Sequence, residues 1–193
     1  MATKLVDIHT HNPSDDTITV SSYGVHPWYA DEGLLPLDCA LFEGVDGVGE
    51  IGLDYACGAD KQTQQRLFEA QLQIAEQLDK IVVIHCVRAY NEVLATLSMY
   101  TLQRVIFHGF VGSEQLASQI LGRGYYLSFG ERTFSSPKTI EALRKTPLSK
   151  LFVESDQSEV GIQYIYAKVA EILEISEGEL AKKIYENYKE IIG

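Results

Sequence analysis

A chain of 193 residues with 46% hydrophobic and 22% charged residues can bury one core, and its length asks for no more than a single domain over residues 1–193. Its net charge of −11 argues against a long duplex-binding groove, which is normally built from Lys and Arg that displace counterions from phosphates. No apolar run reaches membrane-spanning length, and Met1-Ala2-Thr3-Lys4 runs straight into Leu5-Val6-Asp7-Ile8-His9 with no room for the apolar region of a secretory signal, so a cytoplasmic protein with no membrane and no stable protein partner is expected.

In chain order, short β-branched or aromatic runs alternate with segments of helical period, the pattern of βα units around a parallel sheet. Leu5–His9 and Thr17–Val25 read as the first two strands. No amphipathic helix separates them, although a parallel crossover usually takes at least ~10–12 residues, so residues 12–19 are expected to run extended, at ~3.3 Å per residue. Gly47–Gly52 is the third strand, and the helix Gln62–Leu78 behind it gathers Leu67, Phe68, Leu72, Ala75 and Leu78 on one face. Lys80–His85 precedes a helix over Tyr90–Met99 with Val93, Leu94 and Leu97 inward, and Arg104–His108 precedes Glu114–Leu121 with Ser113 as its cap. Tyr125–Phe129, the helix Pro137–Arg144 and the strand Leu151–Glu154 follow. Two helices finish the chain: Val160–Leu173, and one carrying Leu180, Ile184, Tyr188 and Ile191 behind the capping-box spacing of Ser176 and Glu179. The fold class expected is α/β, a (β/α) TIM-type barrel, reduced or irregular, with about seven strands, a βα unit missing near the N-terminus and the last helices outside.

All five histidines stand at or just after the C-terminal end of such a run: His9 and His11, His26, His85 and His108. Glu50 and Asp156 hold the same kind of position. In a barrel these ends converge on one mouth, where catalytic groups sit. His9 and His11, two apart, point the same way from a strand. Any one of these residues alone equally describes a hydrogen-bonded rim side chain or a surface ion pair. Together they would be costly to bury as a structural network, whereas one or two divalent cations would satisfy them at once. Cys39, Cys57 and Cys86 have no zinc or C-x-x-C spacing and read as reduced thiols.

Over nearly its whole length the chain resembles the TatD-related DNases, metal-dependent hydrolases of the amidohydrolase-like barrel group. The likeness rests on Asp7-Ile8-His9-Thr10-His11, Gly24-Val25-His26-Pro27-Trp28, Gly49-Glu50-Ile51-Gly52-Leu53-Asp54, Ile84-His85-Cys86-Val87-Arg88-Ala89, Phe107-His108-Gly109-Phe110, Tyr126-Leu127-Ser128-Phe129-Gly130 and Val153-Glu154-Ser155-Asp156. The resemblance implies two divalent metal ions, one held by His9, His11 and Asp156, a second by His85 and His108, with Glu50 bridging. It also implies that His26 contacts phosphate or orients a ligand; closing the turn before Pro27 is the plainer alternative. This chain departs from typical members in lacking the helix-containing unit between the H-x-H and G-x-H-P strands and the Pro- and Asn-containing loop after Asp156, and in carrying Ser155 where Thr is common. Shortened relatives of this kind form a group within the family.

The activity implied is phosphodiester hydrolysis at DNA ends or on short single strands. Glu50 and Asp156 would be the catalytic carboxylates, and Arg88, just past His85, would clamp a phosphate oxygen or else make a rim salt bridge. Imidazole-rich ligation favours zinc, manganese, cobalt or iron, while the resemblance admits magnesium. Hydrolysis of a small phosphoester, lactone or amide, and a noncatalytic metal-binding role, are the alternatives. Trp28, Tyr55 and Phe110 are candidates for base stacking, or for packing on neighbouring loops.

Overall fold

The computed structural model describes residues 4–33 and 36–193; the first three residues, where the absence of a secretory signal is read, lie outside the described residues. In chain order the described residues form β1 (Leu5–Val6), β2 (Thr17–Ile18), β3 (Ser22–Tyr23), a 3-10 turn (Pro27–Glu32), α1 (Ala40–Glu43), β4 (Gly47–Asp54), α2 (Lys61–Gln77), β5 (Ile81–Val87), α3 (Tyr90–Leu97), β6 (Val105–Phe107), α4 (Glu114–Leu121), β7 (Tyr126–Phe129), a 3-10 turn (Glu131–Ser135), α5 (Pro137–Lys145), a 3-10 turn (Leu148–Lys150), β8 (Leu151–Val153), α6 (Ile162–Leu173) and α7 (Glu177–Ile192). They fall into two compact units, Met1–Val20 with His108–Gly193, and Ser21–Phe107.

The stretch Thr17–Val25, expected as one strand, is divided between β2 and β3. Asp7 N–H donates to Ile18 O at 2.8 Å, which holds the first half beside β1. Ser21 turns away from that register: its N–H and hydroxyl donate to Asp46 Oδ2 at 3.2 and 2.6 Å, and its carbonyl accepts from Asp46 and Gly47, which seats β3 beside β4. The described residues therefore carry eight short strands rather than seven. The missing crossover helix is absent as expected. Residues 7–11 after β1 continue beside Val153 and Asp156, and the chain then turns at Ser14, whose carbonyl accepts from Thr17 N–H at 3.2 Å.

In the unit Ser21–Phe107 the strands pair in parallel in the order β3-β4-β5-β6. The expected helix lies over β4 as α2, started by Asp60, whose side chain accepts from Thr63 N–H at 2.8 Å. Its Phe68, Leu72 and Ala75 are fully buried, each large side chain contributing roughly 1.5–3 kcal/mol by burial. Two polar residues share that buried face, Gln64 and Gln71. Their amides satisfy backbone: Gln64 takes Asp54 N–H at 2.8 Å and gives to Asp54 O at 3.0 Å, and Gln71 takes Val25 N–H at 2.6 Å and gives to Val25 O at 3.0 Å.

In the other unit β1 pairs with β2, β7 with β8, and β8 joins β1 through Ile8 N–H to Val153 O at 3.1 Å, again all parallel. Here α6 and α7 cover the strands as expected. Tyr166 on α6 donates to Val6 O at 2.9 Å, and Asn187 on α7 donates to Leu148 O and Leu151 O at 2.7 and 2.9 Å. Neither unit closes a ring of strands by itself.

Candidate metal centre

In the unit Ser21–Phe107 the site begins with a bulge in β4. Val48 pairs with Val82 and Ile51 with Ile84, so one extra residue is accommodated at Gly49–Glu50 and the pleat is re-aimed there. Glu50 is the one residue of this otherwise buried strand that keeps some exposure, its side chain 10% exposed. Its Oε2 lies 3.5 Å from His85 Nδ1, at the end of β5, and 3.6 Å from His26 Nε2, ahead of the 3-10 turn. The far nitrogen of His85, Nε2, faces Asp54 Oδ2 at 3.2 Å. Asp54 also accepts from Trp28 Nε1 at 2.6 Å and from Ala56 N–H at 2.8 Å. Burial pushes its carboxyl up, but these hydrogen bonds and His85 outweigh it and hold Asp54 below the usual carboxylate range. His26 also caps the turn, Nδ1 accepting from Trp28 N–H at 3.3 Å, so the turn-closing role and the place in the cluster coexist. Gly52 permits the strands to meet here: its φ is 142°, and a Cβ on it would stand 2.0 Å from His85 O.

In the other unit β1 and β8 deliver a second group. Asp156 N–H donates to His9 O and His11 N–H to Asp156 O, both at 3.0 Å, so main-chain pairing fixes all three residues side by side. Asp156 Oδ1 is then 3.8 Å from His9 Nε2 and 3.5 Å from His11 Nε2. Asp7, two residues before His9, accepts from Ser155 N–H at 2.8 Å and its hydroxyl at 2.6 Å, tying the two segments together. Behind them His108 directs Nδ1 at Glu154 Oε1, 3.3 Å away. Gly109, at φ 53°, leaves room for that carboxylate, which a Cβ would approach to 3.3 Å.

The donor atoms of His26, Glu50 and His85 lie within 4.8 Å of one another, as do those of His9, His11 and Asp156 and those of His108, Glu154 and Asp156. Separations of 3.5–3.8 Å between imidazole and carboxylate are long for direct hydrogen bonds. They approach the ~3.0–3.4 Å edge of a coordination shell with ~2.1 Å bonds. One oxygen of the buried Glu154, Oε2, has no hydrogen-bond partner. A cation-binding donor set explains these features, and the residues fit a divalent ion.

Three carboxylates not assigned roles from the sequence belong to these groups: Asp54 behind His85, Glu154 behind His108, and Asp7 behind Ser155. Each sits inside a quoted motif. The signal available was spacing: Asp7 and Glu154 stand two residues before His9 and Asp156, and Asp54 four residues after Glu50 on the same strand. Arg88 follows β5 at φ 54°, exposed, with no ion-pair partner among the described residues, so the rim salt bridge is not formed. Burial pushes the Cys86 thiol well up, and all three cysteines are free.

The family model for TatD related DNase matches residues 7–193. The 3'-5' ssDNA/RNA exonuclease TatD of Citrobacter rodentium is 33% identical over 147 residues, covering 70% of this chain and 56% of the relative. The uncharacterized metal-dependent hydrolase YcfH of Escherichia coli (strain K12) is 36% identical over 147 residues, covering 71% and 55%. The chain thus spans just over half the length of these curated relatives. Among solved structures, a TatD family hydrolase from Entamoeba histolytica superposes with a TM-score of 0.79 at 18% identity, covering 91% of this chain and 75% of that one. The Escherichia coli TatD homologue YJJV does so with 0.74 at 24% identity, covering 92% and 77%. These likenesses show the fold, an α/β arrangement of parallel strands of the TIM type, and the sequence match over residues 7–193 places this chain in the TatD-related DNase family.

Proposed function

We propose that residues 1–193 act as one metal-dependent phosphodiesterase domain that hydrolyses DNA ends or short single strands in the cytoplasm. The observation that supports this reading is the grouping of imidazole and carboxylate donors within 4.8 Å of one another, on parallel strands (Glu50 at the bulge of β4, His85 within β5) or on the segments that follow them. The proposed ligands are His9, His11, His108 and Asp156 from one unit and Glu50 and His85 from the other, taking two divalent ions of zinc, manganese or magnesium type. Bound there, such ions would neutralise charge on the phosphodiester and acidify a water.

The chain's own residues divide the remaining work. Asp156 is the more open carboxylate, its side chain 35% exposed against 10% for Glu50, and it orients the attacking water and takes its proton. Glu50 holds its place from the bulge in β4. Nonbridging phosphate oxygens are assigned to His26, which lies next to Glu50, and to Arg88, which follows β5 and would hold them bidentately. The acidic surface disfavours long duplexes and leaves terminal or single-stranded substrates. The exonuclease named among the relatives supports a nucleic-acid substrate. A small phosphoester, lactone or amide is a second reading, favoured by the short run from Asp156 to α6, which leaves little loop to grip a polymer.

The test is metal content by mass spectrometry, paired with oligonucleotide cleavage by wild type and by Glu50→Ala and Asp156→Ala after metal reloading. Bound metal and end-directed cleavage lost in both variants are expected. Cleavage of small chromogenic diesters but not oligonucleotides would shift the reading to small substrates, and no metal after reloading would end it.

A further inference from the structure

Of the three aromatic residues that invite base stacking, two are committed elsewhere. Phe110 is 1% exposed and packs edge-on against Phe129 at 5.7 Å. Tyr55 is capped by the Lys61 ammonium, 4.3 Å from its ring centroid. Trp28 is different. It is 54% exposed, yet it is held at two points: Nε1–H donates to Asp54 Oδ2 at 2.6 Å, and its backbone N–H donates to His26 Nδ1 at 3.3 Å.

A large aromatic surface in water gains little from being held in one orientation and loses rotamer freedom. Here the holding group, Asp54, also faces His85, and the indole stands 4.7 Å from the His26 ring and 6.3 Å from the His85 ring, nearly perpendicular to both. The open half of the ring is what those contacts leave over. Tyr29, next on the same turn, is 52% exposed.

We propose that Trp28 is the stacking platform for a nucleobase of a single-stranded nucleic acid whose adjoining phosphate lies at His26, Glu50 and His85. This rests on the nuclease reading above. The occupant is chosen by three features. A flat exposed indole accepts any base, having a π-face to match it. A net charge of −11 gives little general attraction to a polyanion, so affinity for a strand must come from local contacts. Bases paired in a duplex do not offer a free face, so the platform selects unpaired ends.

Trp28 is the chain's only tryptophan, so its emission reports on this ring alone. The full-length Glu50→Gln protein, blocked for turnover, is titrated with short oligo-dT and with an abasic strand of equal length, while anisotropy of an end-labelled oligo-dT reports binding separately. Saturable quenching by oligo-dT and none by the abasic strand is expected. Binding seen by anisotropy with unchanged emission overturns the stacking role and leaves the nuclease reading intact. Failure of metal-loaded wild type to bind or cleave any strand overturns both. In an otherwise wild-type background, Trp28→Leu is expected to raise KM for oligonucleotides about 5- to 100-fold with a smaller change in kcat, and Trp28→Phe to recover most of the loss. A fall in kcat with KM unchanged would make Trp28 a prop for Asp54 instead and overturn the proposal, whatever Glu50→Gln does to binding.

Discussion

Glu154 Oε1 lies 3.3 Å from Nδ1 of His108, and their side chains are only 1% and 6% exposed. Burial pushes the Glu154 carboxyl up, but His108 above all, with His9 and Ser128, pulls it below the usual range, so the pair is a carboxylate against an imidazole N–H. That bond selects the tautomer of His108 that leaves Nε2 with its lone pair outward.

Glu154→Gln keeps the volume and removes the charge that sets this tautomer. Metal affinity is expected to fall roughly 10- to 100-fold, the usual cost of losing such a partner behind a ligand. Competition with a chromogenic chelator measures it. An affinity equal to wild type would mean that Glu154 does not act through His108.

Asp7 couples the site to pH. Burial raises its carboxyl more than the Ser155 hydrogen bonds lower it; Glu154 adds to the rise and His9 opposes it. The folded state therefore holds this proton more tightly than the unfolded chain, whose carboxyl titrates near ~3.9. Stability from this group falls as pH rises from that value through the raised one, and is fully lost above it. Asp7→Asn should flatten this decline, so that wild-type stability minus variant stability drops with rising pH in urea unfolding followed from pH ~4 to ~7. Parallel curves would show that Asp7 does not carry the dependence.

The grouping of His9 and His11 with Asp156, and of His26 and His85 with Glu50, was legible within each unit because apolar runs mark the strands, and chemistry near their C-terminal halves shares a face. The division of Thr17–Val25 was not. Its β-branched residues suit one strand, and the break is made by Ser21 bonding to Asp46, 25 positions away, which no local pattern encodes. Asp54, Glu154 and Asp7 were read only as parts of motifs because their role is to hold a neighbour. A short carboxylate beside a strand end looks alike in sequence whether it faces solvent or, as Asp54 does, an imidazole at 3.2 Å.

Gly52 is where the chain tolerates least. At φ 142°, with a Cβ due 2.0 Å from the carbonyl oxygen of its register partner His85, an alanine can be admitted only by parting β4 from β5. Gly52→Ala is expected to cost more than ~3 kcal/mol, or to give no folded protein. Soluble yield and urea unfolding read this out. A variant of wild-type stability would mean that the two strands separate here without penalty.

Gln71 offers the sharpest separation of scaffold from chemistry. Its amide replaces a missing strand neighbour for Val25, accepting from its N–H at 2.6 Å and donating to its carbonyl at 3.0 Å, directly before His26. Gln71→Leu keeps an apolar contact on α2 but leaves both backbone groups without this partner, at roughly 1–3 kcal/mol each, so a loss of about 2–6 kcal/mol is expected in urea unfolding. Gln64 serves Asp54 in the same way, seven positions earlier on α2. Because the two amides bind different segments, the losses from Gln64→Leu and Gln71→Leu should add to within about 0.5 kcal/mol in the double variant. Strong non-additivity would mean that Val25 and Asp54 shift together, with the turn carrying His26 and the end of β4 forming one coupled element rather than two independently clamped ones.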